Sequence, residues 1–531
     1  MFANLPGSLR ELFDANRSDA TFIVYEEERY SFEQAWARAA SIARILIDEY
    51  GVSPGDRVAI SMRNYPEWAL AFMAVTSIGA VAVALNALWQ PDELEYCLDD
   101  CGAKVLFADQ ERLDRLAQCR ADLPVQAIAV RPTKALARGR DLKDLLAQIG
   151  TVPMPALRGA NTVDGEGIAT IFYTSGSTGH PKGVASSHRN ILTALFSWEL
   201  DAQAGELISE VEPEPLSEQE ATLLAVPLFH VTASHAVFLR CFRAQRKMVS
   251  MYRWDPAIGA ELIEREHINS FIAPPAVSGD LVREARRTSR DLSSLAMIGG
   301  GGAPRASEQV RNIDTSFANG VPVTGWGMTE TNAIGTGIGG PDYLARPESS
   351  GRCSAVLEIR IVDDEGNTVP ANSRGEMLIR GTAIFMGYWR NQSVDPSVFE
   401  DGWFRTGDVG YFDEEGYLFV VDRIKDLIIR GGENIGCGHV EAGLLMYPGV
   451  EEVAVYPVPD ERLGEEVGAT VFASSALDLD TLRDFLSQHL ARFEVPRYIT
   501  VVDTPLPRTA SGKILKRELR DAAVKQITGV T

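Results

Sequence analysis

With 531 residues, 45% of them hydrophobic and 23% charged, the chain is long enough for two or more domains and too apolar to be disordered. Its formal net charge of -22 disfavours nucleic-acid backbones and anionic membrane surfaces as partners. The six cysteines show no CxxC spacing and the N-terminus lacks a basic start followed by an apolar stretch, which fits a reducing cytoplasm and not a disulfide scaffold or an export signal.

In chain order, Ser31 and Gln34 form a capping box ahead of an amphipathic run ending at Tyr50, and RVAIS then predicts a strand. Residues 68 to 85, WALAFMAVTSIGAVAVAL, are uncharged over nearly the length of a membrane span. They are rich in Ala, interrupted by Thr76, Ser77 and Gly79, and flanked by Glu67 and Asp92, so they predict a buried helix ending near Gly79 and a buried strand over VAVAL. Cys97 and Cys101 are spaced to share a helix face, but no nearby His completes a metal site.

Extended stretches follow at IATIFYT (168–174), TLLAVP (222–227), NSFIA (269–273) and LAMIG (295–299), with helical segments between them such as the one opened by Asp255 and Pro256. This alternation predicts stacked α/β layers. The acid-rich stretch 201–220 reads as a solvated, mobile loop, and Arg283, Arg286, Arg287 and Arg290 as the solvated face of a surface helix. From about residue 350 the texture changes to short strands joined by the turns DDEGN and DEEGY, predicting a small β-rich subdomain up to 424. A boundary near Lys425 separates a large domain, 1–424, from a small mixed α+β domain, 425–531, ending in a basic helix.

The stretch YTSGSTGHPKGV (173–184) concentrates small donors: glycine-freed backbone N–H groups, hydroxyls of Thr174, Ser175, Ser177 and Thr178, and the Lys182 ammonium. Such a concave donor surface suits a polyphosphate, where an ordinary Gly/Ser turn is the plainer alternative. Its spacing is not GxxxxGK[ST], and no helix starts on the lysine. GTGIGG (335–340) matches GxGxxG formally, but Pro341 and Asp342 stand where a helix should open, which argues against a nicotinamide or flavin site. GxSxG and HExxH are absent.

YTSGSTGHPKGV, PLFHVTA (227–233), GGGAP (300–304), GWGMTET (325–331), WFRTGDVG (403–410), DRIKDLIIRGGENI (422–435) and PRTASGK (507–513) occur in an order that resembles the adenylate-forming superfamily of acyl-CoA synthetases, luciferases and peptide-synthetase adenylation domains. The resemblance implies activation of a carboxylic acid by ATP and Mg2+ as an acyl-AMP, then transfer to coenzyme A, with a small C-terminal domain that moves between the steps. It implies that Thr174, Ser175, Gly176, Ser177, Thr178, Gly179 and Lys182 hold the leaving phosphates, that Thr329 contacts the α-phosphate and that Glu330 binds magnesium. Gly301, Gly302, Ala303, Pro304, Gly325 and Trp326 would enclose adenine, and Asp408, helped by Arg423, would bind the ribose. Lys513 would reach the carboxylate and α-phosphate, Lys425 would be the hinge, Gly432 would line the pantetheine tunnel, and His230 would stand at the mouth of the acyl pocket. His235 has a weaker claim to a role.

GCGHVE (436–441) departs from the family pattern, placing Gly436, Cys437 and His439 where an aromatic, Pro or Ser, and Glu are usual. LFHVT offers no carboxylate to pair with a substrate ammonium, so amino acids are disfavoured and apolar acids expected, fatty acids first. The alternatives are an aryl acid:CoA ligase and an acyl-AMP ligase loading a carrier protein. A homodimer is compatible with the sequence.

Overall fold

The computed structural model describes residues 2, 5–157, 162–174, 180–208, 218–302, 305–390, 393–423, 427–431, 433–473, 476–509 and 512–528. Two nine-stranded sheets form the large domain. One has the parallel strands Thr21–Tyr25, Lys247–Ser250, Ala221–Leu224, Ser270–Ile272, Met297–Gly300 and Val321–Thr324 at its centre. The other is centred on Arg57–Ser61, Val81–Ala84, Val105–Asp109 and Ile168–Thr174, also parallel. Parallel strands need crossover connections, and helices supply them: Phe32–Asp48, capped by the Ser31/Gln34 box, and Pro66–Ser77 both bury apolar residues in the largest core.

The uncharged stretch is thus an interior helix followed by a strand, with Trp68 and Phe72 fully buried in the core. Burial of each such side chain contributes roughly 1.5–3 kcal/mol. No helix among the described residues is long and apolar enough to cross a membrane.

A five-stranded antiparallel sheet includes Leu357–Val362, Gly375–Gly381, Trp403–Phe412 and Leu418–Arg423, and DEEGY makes the hairpin turn between the last two. The small C-terminal domain has its own five-stranded sheet around Val450–Asp460 and Gly464–Ala473, with Lys516–Thr528 as its terminal helix. Every hydrophobic cluster among the described residues lies wholly before residue 424 or wholly after residue 427.

Two local expectations change. Residues 201–208 are helical, not loop, because helix His188–Ile208 continues past Trp198; Asp201 is anchored by the Ser354 hydroxyl, which donates to it at 3.0 Å. A short helix, Gly340–Ala345, does open after GTGIGG, since Pro is tolerated in a first helical turn. The strand before it, Thr336–Gly339, is antiparallel to its neighbour, so no parallel βαβ unit surrounds the motif. The arginines of the 283–290 cluster are exposed, as the sequence reading has them, and are engaged by Asp280, Glu284, Asn312, Glu261 and Glu264.

Candidate active site

Thr174 and Lys182 end two antiparallel strands and face each other in register, so the donor-rich loop is pinned at both ends. Ser175, Gly176, Ser177, Thr178 and Gly179, with Ala303, Pro304, Lys425 and Gly432, lie outside the described residues. Strand Gly387–Arg390 adds to the edge beside Lys182–Ser187, placing the Tyr388 ring 5.1 Å from the Lys182 ammonium.

From the other end of that ring, the Tyr388 hydroxyl donates to Glu330 Oε1 at 2.7 Å. Glu330 sits in the 3-10 turn Thr329–Thr331, whose position is fixed by the Phe385 N–H donating to the Glu330 carbonyl at 2.8 Å. Burial raises the pKa of this carboxyl, and the Tyr388 bond opposes that shift. Among the described residues no lysine or arginine pairs with Glu330. A buried carboxylate without a cationic partner among the described residues fits a divalent cation of the Mg2+ type.

Asp408 is buried in strand Trp403–Phe412 opposite Arg423. The Trp326 indole N–H donates to Asp408 Oδ2 at 2.7 Å, and Arg423 Nε lies 3.2 Å from Oδ1 in an ion pair without hydrogen-bond alignment. Oδ1 therefore keeps acceptor capacity. Trp326 is not a free aromatic plate: its ring is half-buried between two small apolar clusters. Gly301 faces the carbonyl of Gly325, which would lie 3.9 Å from a Cβ at position 301.

Lys513 comes from the small domain, yet its side chain reaches Gly302, where a Cβ would lie 3.4 Å from Cε and 3.7 Å from Nζ. Gly302 has φ +79, a left-handed conformation that side chains rarely adopt, so the turn itself calls for glycine, while a Cβ would make only ordinary contact with Lys513. The lysine loop is closed by the Thr509 N–H donating to the Lys513 carbonyl at 2.7 Å, and Gly512 backs onto Val277, whose Cγ2 would be 2.8 Å from a Cβ there. Lys513 keeps water contact but is crowded by protein; that crowding and then the Arg423 charge lower its pKa, against Asp408.

His230 caps the helical run beginning at Val231, and its ring Nε2 has no partner among the described residues. Burial, with a smaller contribution from Lys513, brings its pKa to about 3, so it is neutral at physiological pH. His235 is buried with Nδ1 2.8 Å from the Ser234 hydroxyl, and burial takes it to about 3 as well. At Gly436 a Cβ would stand 3.0 Å from Val421 Cγ1, a tight contact that any larger side chain could enter only by shifting its neighbour. The Cys437 N–H next to it donates to Asp422 Oδ2 at 2.6 Å, and His439 pairs with Glu494 at 3.6 Å inside the small domain.

Tyr388 was not expected from the sequence, since GYWR carries no pattern that places it on the edge of the other sheet. Arg305 was also missed: it is buried against Gly300, with Nε and Nη2 lacking partners, and burial lowers its pKa.

Buried neutral histidines have a consequence for stability. His188, which accepts the Leu9 N–H at 3.2 Å, is held at about 4, and His235 at about 3. Their folded-state pKa values lie below the unfolded value, so the stability they contribute is complete above about pH 6.5 and is lost as pH falls towards those values. By pH 5 each costs about 2 kcal/mol. Thermal melting should therefore drop between pH 7.5 and 5, and His235→Gln should flatten that drop; an equal slope in the variant would contradict the assignment.

A family model described as AMP-binding enzyme matches residues 11–389, and one described as AMP-binding enzyme C-terminal domain matches residues 439–513. The chain is 35% identical to a feruloyl-CoA synthase of Amycolatopsis sp over 511 residues, 94% of this chain and 95% of that one. It is 30% identical to a long-chain-fatty-acid–CoA ligase of Mycobacterium tuberculosis over 499 residues, covering 93% of each. Among solved structures, an anthranilate CoA ligase in complex with anthranoyl-AMP superimposes with a TM-score of 0.88 at 25% identity, covering 99% of both chains.

Proposed function

The chain belongs to the AMP-binding enzyme family, and from that premise we propose that its cleft joins an apolar carboxylic acid, fatty or aryl, to coenzyme A at the expense of ATP. In the first step a carboxylate oxygen attacks the α-phosphorus and pyrophosphate leaves; in the second the CoA thiol attacks the acyl carbon and AMP leaves. Bringing one anion onto another is the difficulty, so cations and oriented donors must meet the charge as it develops.

In this reading the loop from Thr174 to Lys182 takes the leaving phosphates, Thr329 the α-phosphate and Asp408 with Arg423 the ribose. Glu330, positioned by Tyr388, would hold Mg2+, which supplies Lewis-acid stabilisation of the phosphate oxygens when bound. Neutral His230 would stand at the mouth of the acyl pocket. Lys513 would bridge carboxylate and α-phosphate, then withdraw as residues 425–531 turn about Lys425 to admit CoA past Gly432.

The observation that carries the proposal is the entry of Lys513 from one domain into a cleft built by the other, beside Gly302 and within the field of Asp408 and Arg423. The six free cysteines suit a cytoplasmic location, and a homodimer is compatible with the reading. Incubation with ATP, Mg2+, CoA and a panel of acids graded in length and aromaticity should give CoA-dependent AMP release and thioester. Acyl-AMP accumulating without thioester would show instead a ligase that serves a carrier protein.

A further inference from the structure

Three bonds from one segment hold the turn that carries Glu330. The Asn332 side-chain N–H donates to the Ala383 carbonyl at 2.8 Å, the Phe385 N–H to the Glu330 carbonyl at 2.8 Å, and the Tyr388 hydroxyl to Glu330 Oε1 at 2.7 Å. Asn332 and Ala333 both have left-handed backbone, with φ +53 and +68, so the turn closes sharply against that segment. Tyr388 is fixed in its turn. Its backbone is in register with Val184 in the sheet, and its ring packs edge-on against Phe385 with centroids 5.0 Å apart. Main chain and carboxylate of Glu330 are thus gripped together, which leaves the carboxylate little freedom to swing.

Among the described residues no three or more His, Cys, Asp and Glu side chains gather into a cage for a metal, so an ion at Glu330 would draw most of its oxygens from phosphate and water. Mg2+ accepts that arrangement, because it gives up water reluctantly and is held by one or two carboxylates together with substrate phosphates. Ca2+ is larger, takes more oxygens and gains from a carboxylate that chelates through both of its own. The Tyr388 bond bears directly on that difference. Oε1 is engaged by the phenol O–H, while Oε2 has no side-chain hydrogen bond among the described residues. Chelation through both oxygens would have to compete with that bond.

We propose that Tyr388 is a positioning residue that sets metal selectivity: by occupying Oε1 it presents Glu330 to the ion through Oε2, and the site prefers Mg2+ to Ca2+. This rests on the ligase reading above, with Glu330 as the magnesium acid, and deepens it. The ring has a separate task, since it lies 5.1 Å from the Lys182 ammonium. Tyr388→Phe keeps that contact and the packing on Phe385 and deletes only the hydroxyl.

The test reads binding without turnover. The probe is α,β-methylene-ATP, whose α–β bridge is not cleaved, titrated calorimetrically into the whole chain with Mg2+ or Ca2+ as the only divalent cation. The wild type should bind the Mg2+ complex more tightly, and Tyr388→Phe should lower the Mg2+ to Ca2+ affinity ratio by about 10-fold, the scale of losing one partner of a ligating group. In a Glu330→Gln background, which has no carboxylate to present, adding Tyr388→Phe should leave the ratio where it was. Equal loss with both cations in Tyr388→Phe would mark a merely structural bond, and an unchanged ratio an idle one; either overturns the proposal. So would tighter binding of the Ca2+ complex by the wild type, or a further fall in the glutamine background. A melting curve matching that of the wild type checks that the phenylalanine variant keeps the fold. A lowered ratio in Tyr388→Phe with no AMP release from any acid would overturn the ligase reading and spare Tyr388; acid-dependent AMP release by the wild type with an unchanged ratio in the variant would do the reverse.

Discussion

Lys513→Ala is expected to lower acid-dependent pyrophosphate release by about 10²-fold or more, the scale of removing one oriented donor from a site where charge develops. The expectation follows from position. The ammonium stands beside Gly302, in the field of Arg423 and Asp408. Without it, carboxylate and α-phosphate would meet with one fewer cation between them. The side chain stays in water contact, and the loop around it is closed by backbone and Thr509 bonds, so the fold should not suffer. The second half-reaction gives the discriminating control. Supplied acyl-AMP and CoA should yield thioester at a rate within about 3-fold of wild type. Normal pyrophosphate exchange in the variant would remove Lys513 from the first step.

Glu330→Gln should be nearly as severe, about 10²- to 10³-fold in the first step, with the Mg2+ dependence displaced to much higher concentration. Glutamine can still accept the Tyr388 hydroxyl bond, so the local structure is kept while the negative charge is lost. Melting temperature is expected to hold or rise, since a buried carboxyl whose pKa is raised by burial is replaced by a neutral group. An unchanged Mg2+ dependence would contradict the metal role.

Much of the fold was legible because parallel strands buried on both faces read as continuous apolar runs, and Arg57–Ser61, Ile168–Thr174 and Met297–Gly300 all stand where such runs predict them. The Ser31 capping box and the DEEGY turn were equally readable, since both depend on residues close in sequence. Legibility failed where partners are distant. Nothing in GYWR says that Tyr388 will join the edge of a sheet built mainly from the first half of the chain. The loop assigned to 201–220 failed over 201–208 for a related reason, as helix His188–Ile208 is held by packing at its start that its acidic end does not show.

In the candidate site, Lys182, Glu330, Asp408 and Lys513 were singled out by motif, while their mutual arrangement was not. The Tyr388 bridge between Lys182 and Glu330 and the Trp326 bond to Asp408 are tertiary facts. Trp326 shows the difference most directly, because its indole N–H is committed to a carboxylate and its ring to small apolar clusters, neither of which its motif discloses.

The hydrophobic clusters of the two domains end on either side of residues 424–426, and polar contacts such as the Cys437 N–H to Asp422 span the interval. Turning one body against the other therefore uncovers little hydrocarbon to solvent, and the heat-capacity change of that rotation should be small. If residues 425–531 turn as proposed, the balance point of that rotation would drift little with temperature and be set by which ligand is present, not by how warm the cell is.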